Sequence, residues 1–202
     1  MKTFFKDSFY NNQNILPKNG TAIYYGAIMT EYDADKYFDN LINTIPWQND
    51  VVMMFGKKII TKRKTAWFGD EPFNYTYSKV TRKALAWTDT LMKLKQITEE
   101  VSKENFNSCL LNLYHNGNEG MSWHSDDEKE LKENGAIASL SFGAQRKFLF
   151  KHKDTREKVE LYLSHGSLLI MKDQTQKNWL HSLPTSKKIL LPRINLTFRT
   201  II

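Results

Sequence analysis

With 202 residues, 41% of them hydrophobic and 25% charged, the chain has a globular composition and enough length to bury a sizeable core. Lysine and arginine number 29 against 22 acidic residues, so the net charge of +7 favours an anionic partner, with nucleic acid the leading candidate. The single Cys109 excludes an internal disulfide and a cysteine-built zinc site, and no apolar run approaches membrane-spanning length. A soluble intracellular monomer without membrane contact is the expectation, cytoplasmic in a bacterium and nuclear in a eukaryote.

Residues 1–202 read as one domain, with 1–108 supplying helices and a recognition region and 109–202 a strand-rich core. Phe38, Leu41, Ile42 and Ile45 form a helical stripe over residues 37–45, which Asp33 or Asp35 would cap. Between Val51 and Ser78, cations (Lys57, Lys58, Lys62, Arg63, Lys64) interleave with aromatics (Phe55, Trp67, Phe68, Phe73, Tyr75, Tyr77). Cations suit phosphates and aromatic faces suit bases, although a basic surface hairpin with a few buried rings has the same composition. A second helix is predicted over residues 81–102, with Ala84, Trp87, Leu91, Leu94, Ile97 and Val101 facing a sheet. From Cys109 onward, short alternating or apolar runs separated by Asn-Gly and Gly-containing turns read as strands. Helices followed by strands predict an α+β fold.

Chemistry concentrates in the strand-rich half. Asn112 and Tyr114 share one face of a strand whose other face carries Leu111 and Leu113. In the segment 191–199, Arg193, Asn195, Thr197 and Arg199 share a donor-rich face opposite Ile194, Leu196 and Phe198. Such a face suits a dicarboxylate; it also fits a solvated edge strand. If His124 and Asp126 lie in a strand, they project together, and His181, 55 positions beyond Asp126, can complete a set of two histidines and one carboxylate. Such a set holds one face of a ferrous ion and leaves the other open for a co-substrate and dioxygen. A zinc hydrolase is a weaker alternative because it leaves Arg193 and Arg199 unexplained. His115, His152 and His165 sit beside turns or a basic strand and read as structural, and Lys187 and Lys188 as a solvated turn or phosphate contacts.

Asn112-X-Tyr114, His124-X-Asp126, His181 and Arg193-X-Asn-X-Thr-Phe-Arg199 occur in that order, with 137–143, Arg146, 148–153 and 165–169 between them. Together they resemble the AlkB-type dioxygenases, which repair alkylated nucleic acids with iron(II), 2-oxoglutarate and O2. The likeness is strong from Cys109 onward and looser over 51–78. It implies a double-stranded β-helix, or jelly-roll, with iron on His124, Asp126 and His181. It also implies 2-oxoglutarate on Asn112, Tyr114, Arg193, Asn195, Thr197 and Arg199. Arg193 would take the distal carboxylate with Tyr114 and Asn195, while Arg199 and Asn112 lie nearer the chelating end. For the base, the resemblance implies a site formed by Phe55, Arg63, Tyr75, Tyr77, Asp127 and Glu128. Tyr77 and His124 would flank a flipped base, Tyr75 and Glu128 would read its edge, and Phe55 would act as a wedge. Where the family pattern has phenylalanine, this chain has Tyr77. The implied reaction is oxidative demethylation of 1-methyladenine or 3-methylcytosine in DNA, releasing formaldehyde, succinate and CO2. RNA demethylation, hydroxylation of a protein or small molecule, and non-enzymatic nucleic-acid binding are the alternatives.

Overall fold

The computed structural model describes residues 13–54, 57–77 and 80–202, and for 51–54, 57–59, 74–77 and 80–82 it gives the course of the backbone alone. Its first elements are strand β1 (Thr21–Ala27), helix α1 (Glu31–Thr44) and strands β2 (Gln48–Met54), β3 (Lys57–Gly69), β4 (Asn74–Tyr77) and β5 (Val80–Lys83). Helix α2 (Asp89–Ser102) leads into β6 (Ser108–Tyr114), β7 (Met121–His124), β8 (Ile137–Gly143), β9 (Arg146–His152) and β10 (Lys158–Leu163). Strand β11 (Ser167–Lys172), the single turn α3 (Thr175–Asn178), β12 (Trp179–Leu183) and β13 (Arg193–Arg199) complete the order.

Among the described residues, seven strands form a major antiparallel sheet in the order β1-β11-β8-β13-β6-β3-β2, and four form a minor one, β10-β9-β12-β7. Strands β4 and β5 pair as a separate ribbon. The expected α+β class is therefore present, as two antiparallel sheets with helices. Alternation decides which side chains go where. Leu111 and Leu113 of β6, Leu140 and Phe142 of β8, and Ile194, Leu196 and Phe198 of β13 point to one side of the major sheet, onto the helices. There they meet Leu41 of α1 with Leu91 and Leu94 of α2, all fully buried. Tyr114, Leu169 and Met171 point to the other side and meet Phe148, Phe150, Leu161 and Trp179 of the minor sheet. One sheet thus carries an apolar core on each face, and the cleft between the sheets is where its polar residues converge.

Both helices differ at their starts from the sequence expectation. Helix α1 begins at Glu31, where the Thr30 hydroxyl accepts from the Asp33 N–H at 3.1 Å, so threonine is the cap and Asp33 lies inside the first turn. Helix α2 begins at Asp89 rather than near Thr81, capped by the Thr88 hydroxyl, which accepts from the Leu91 N–H at 3.2 Å. Residues 80–83 instead pair with β4, and Leu85 donates its N–H to Trp67. The apolar residues Ala84 and Trp87 imitated a helical stripe, but β-branched Val80 and Thr81 favour the ribbon. Strands β1, β2 and β3, not anticipated individually, extend the major sheet at its two edges.

At the end of β8 the chain turns through Gly143 with φ +82°. A methyl group there would lie 2.4 Å from the Pro192 carbonyl and 2.8 Å from the Phe38 ring. Gly143→Ala is therefore expected to cost roughly 2 kcal/mol or more in urea unfolding, from backbone strain plus the clash. A loss below about 0.5 kcal/mol would show that this turn relaxes freely.

Candidate metal centre and adjoining cleft

Strands β7 and β12 place the two histidines. His124 and His181 are directly paired across the antiparallel register, with ring centroids 4.2 Å apart. The Nδ1–H of His124 donates to the Ser122 carbonyl at 2.8 Å, which leaves Nε2 as its ligand atom. Phe148 stacks on His181, with centroids 5.5 Å apart and planes 24° apart, and fixes that imidazole's plane.

Asp126 is positioned differently from the sequence expectation. Strand β7 ends at His124, so the carboxylate sits in the following loop and strand alternation does not aim it. Tertiary contacts do. Arg199 of β13 donates from Nη2 to Asp126 Oδ2 at 2.7 Å, and the Asp126 N–H donates to Gln176 Oε1 at 2.9 Å. The other carboxylate oxygen lies 3.7 Å from His124 Nε2 and 3.9 Å from His181 Nε2. One ligand atom from each residue falls within 4.8 Å of the others.

The protonation states suit a divalent cation. Burial pushes the Asp126 carboxyl up, but Arg199 outweighs it, helped by the two histidines, and holds the group at about 2. Burial also drives His181 down to about 3, against the opposing pull of Asp126. The carboxylate is thus ionised and this imidazole neutral at physiological pH, the forms in which both coordinate metal. Two imidazole nitrogens and one anionic oxygen on a shared face fit iron(II) well.

A cavity of about 250 Å³ extends from this cluster between the sheets. Register supplies its polar wall: Arg193 pairs with Tyr114 and Asn195 with Asn112 across β13 and β6, while Asn195 also faces Ser141 across β8. All six residues expected to bind the co-substrate (Asn112, Tyr114, Arg193, Asn195, Thr197 and Arg199) line this cavity. Asn195 Oδ1 accepts from Ser139, Ser141 and Arg193, and its amide donates to Thr197 at 2.9 Å. Arg193 is 3% exposed, and its Nη2 donates to the Ser141 hydroxyl at 2.9 Å and to Asn195 at 2.6 Å. Its Nε has no hydrogen-bond partner, and among the described residues no carboxylate pairs with it. Burial lowers Arg193 to about 10, opposed by Tyr114, so it stays cationic. A buried guanidinium without an acid is a costly arrangement, and an anionic ligand would satisfy it.

The residues expected to meet a base divide. Asp127 and Glu128 line the same cavity as His124. Arg63 lines it too, but as a buried side chain ion-paired with Asp50 and 2.6 Å from Met121 Sδ, in contrast to its exposed neighbour Lys62. Burial opposes its charge, yet Tyr114 and Asp50 more than compensate and raise its pKa. Phe55 and the side chains of Tyr75 and Tyr77 lie outside the described residues. The bystander histidines have local partners: His115 bonds Glu119 at 3.0 Å, His152 accepts from the Asp154 and Thr155 N–H groups, and His165 accepts from the Gly143 N–H.

Sequence reasoning missed Asp50, Gln176 and the roles of Ser139 and Ser141. The serines did leave a signal, since hydroxyls alternate with Ala138, Leu140 and Phe142 along β8. Gln176 left none, because its contact with Asp126 spans 50 positions of sequence.

Comparison with known proteins agrees with this geometry. The family described as the 2OG-Fe(II) oxygenase superfamily matches residues 21–199. The protein named DNA oxidative demethylase ALKBH2 from Mus musculus is 39% identical over 198 residues, covering 93% of this chain and 83% of that protein. Alpha-ketoglutarate-dependent dioxygenase alkB homolog 3 from Homo sapiens is 38% identical over 187 residues, covering 88% of this chain and 65% of its own length. The solved structure of OsALKBH1 superposes with a TM-score of 0.60 at 14% identity, over 92% of this chain and 98% of that one, a likeness of fold. With its two histidines and aspartate gathered on one cleft, the chain belongs to the AlkB-type iron(II)/2-oxoglutarate-dependent dioxygenases.

Proposed function

We propose that this enzyme removes N-linked methyl groups from bases in DNA, with 1-methyladenine and 3-methylcytosine as substrates, acting as a monomer. The observation that carries the reading is the pairing of the His124, Asp126 and His181 cluster with the buried Arg193, which has no acid partner among the described residues, in one cleft. The similarity to proteins named for DNA oxidative demethylation supports the choice of substrate class. The two sheets then correspond to the double-stranded β-helix frame, with the metal held near one end of the cleft.

His124, Asp126 and His181 hold iron(II), which supplies, with 2-oxoglutarate and dioxygen, the oxidation of an N-methyl carbon that ends in formaldehyde, succinate and CO2. Arg193 grips the distal carboxylate of 2-oxoglutarate, aided by Tyr114 and Asn195, while Asn112 and Arg199 serve the end nearer the metal. Thr197 holds the Asn195 amide in place. His124 forms one wall for a base turned out of its stack, and Asp127 and Glu128 in the cavity lining favour a cationic methylated base over its neutral parent. Tyr75, Tyr77 and Phe55 are assigned to edge reading, stacking and filling of the vacated space. Arg63 shapes the pocket through its pair with Asp50.

The test is incubation with iron(II), 2-oxoglutarate, ascorbate and a short DNA oligonucleotide carrying one 1-methyladenine, alongside its RNA counterpart. Loss of one methyl group with formaldehyde release, dependent on both iron and 2-oxoglutarate and faster on DNA, is the expected result. Succinate formation without demethylation of either strand would move the enzyme to another substrate class.

A further inference from the structure

We propose that Gln176 and Lys153 are positioning residues for the metal ligand Asp126, joined into one brace that sets the affinity of the site for its cation. This inference rests on the metal cluster and is independent of which substrate the enzyme demethylates.

Both histidine ligands stand on paired strands, whereas Asp126 stands beyond the end of β7. A loop residue has no ladder to hold its backbone, so the direction of its carboxylate must be fixed by side chains from elsewhere. Arg199 fixes one carboxylate oxygen. Gln176 fixes the backbone, since its Oε1 accepts the Asp126 N–H at 2.9 Å.

The turn that carries Gln176 is itself tightly tied. Thr175 is 1% exposed, and its hydroxyl donates to the Thr21 and Lys172 carbonyls and accepts from the Thr21 N–H at 2.8 Å. At the other end, the Asn178 carbonyl accepts the Lys153 N–H at 2.8 Å. Lys153 then closes the brace: its Nζ donates to the Gln176 carbonyl at 2.9 Å and to the Ser125 hydroxyl at 3.2 Å. Ser125 in turn donates to Asp127 at 3.2 Å. Asp126 is therefore tied to this helical turn through Gln176 and its neighbour Ser125 through Lys153. His181 follows that turn directly on β12, so one rigid point orients two of the three ligands.

The experiment is Mn(II) titration of the metal-free protein, followed by electron paramagnetic resonance, for Gln176→Leu, Lys153→Met and the double variant. Gln176→Leu is expected to raise the Mn(II) dissociation constant roughly tenfold to a hundredfold, the usual effect of losing an outer partner of a ligand. Its metal-free Tm should stay close to that of the parent. Lys153→Met, at a partly exposed position, should raise the constant in the same direction. Because the two act as one unit, the double variant should be no weaker than the worse single. Affinities within twofold of the parent in both single variants, with or without a lower Tm, would reduce these contacts to ordinary packing and overturn the proposal. Losses that multiply in the double variant would overturn the shared brace.

Discussion

Asp126→Asn is expected to abolish turnover and weaken divalent-metal binding by more than the hundredfold upper range typical of a lost outer partner. Asp126 is the only anion among the three ligands, and the field of Arg199 keeps it ionised. An amide of the same shape leaves two imidazoles and a neutral oxygen, so the cation loses its one charged partner. Stability should fall as well. The Arg199–Asp126 pair is buried at 2.7 Å, and removing one member of such a pair costs about 3–5 kcal/mol. Mn(II) titration and thermal unfolding of the metal-free variant check both parts. Full retention of iron-dependent turnover would remove Asp126 from the ligand set.

Arg193→Met separates function from stability in the opposite sense. Among the described residues the buried guanidinium has no acid partner, and burial, with Arg146 adding to it and Tyr114 opposing, draws it down to about 10. Exchanging it for an apolar side chain of similar length should leave the metal-free protein within about 1 kcal/mol of the parent, or stabilise it. The KM for 2-oxoglutarate should rise about a hundredfold, since a charge-paired carboxylate contact contributes about 2–5 kcal/mol. Arg193→Lys should recover only part of the loss, because an ammonium lacks the planar fork that grips a carboxylate. Steady-state kinetics with 2-oxoglutarate as the varied substrate, set beside urea unfolding, provides the test. An unchanged KM would defeat the assignment of Arg193 to the co-substrate.

The polar wall of the cleft was legible because a strand has a period of two. Once 193–199 is read as a strand, Arg193, Asn195, Thr197 and Arg199 must share a face, and the structure places all four on the cavity. The same holds for Asn112 and Tyr114. His124 and His181 were recognisable by residue type and order. That they sit opposite one another in a ladder was not, since register between distant strands leaves no local trace. Asp126 shows where local reasoning reaches its limit. The expectation named the correct residue but gave it the wrong support, because its orientation comes from Arg199 and Gln176 rather than from a strand. Arg63 shows the same limit in reverse: its neighbours in sequence made it look like part of an exposed basic face, whereas Asp50 draws it inside. The early start assigned to α2 failed because apolar spacing over residues 84–87 was compatible with both a helix and an approach to β3.

Strand β13 lies between β8 and β6, near the middle of the major sheet, although it spans only residues 193–199. During synthesis, β8 and β6 emerge long before the strand that must separate them. Until it arrives, β8 and β6 lack the strand that joins them, and the major sheet stays in two parts. Its insertion brings Ile194, Leu196 and Phe198 to one core and, in the same event, Arg193 and Arg199 to the cleft. The strand that joins the two parts of the sheet is thus also the one that supplies two arginines of the pocket. Without β13 the chain would lack both the arginine that steadies Asp126 and three side chains of the core, so the integrity of the metal site and that of the sheet are tied to one strand.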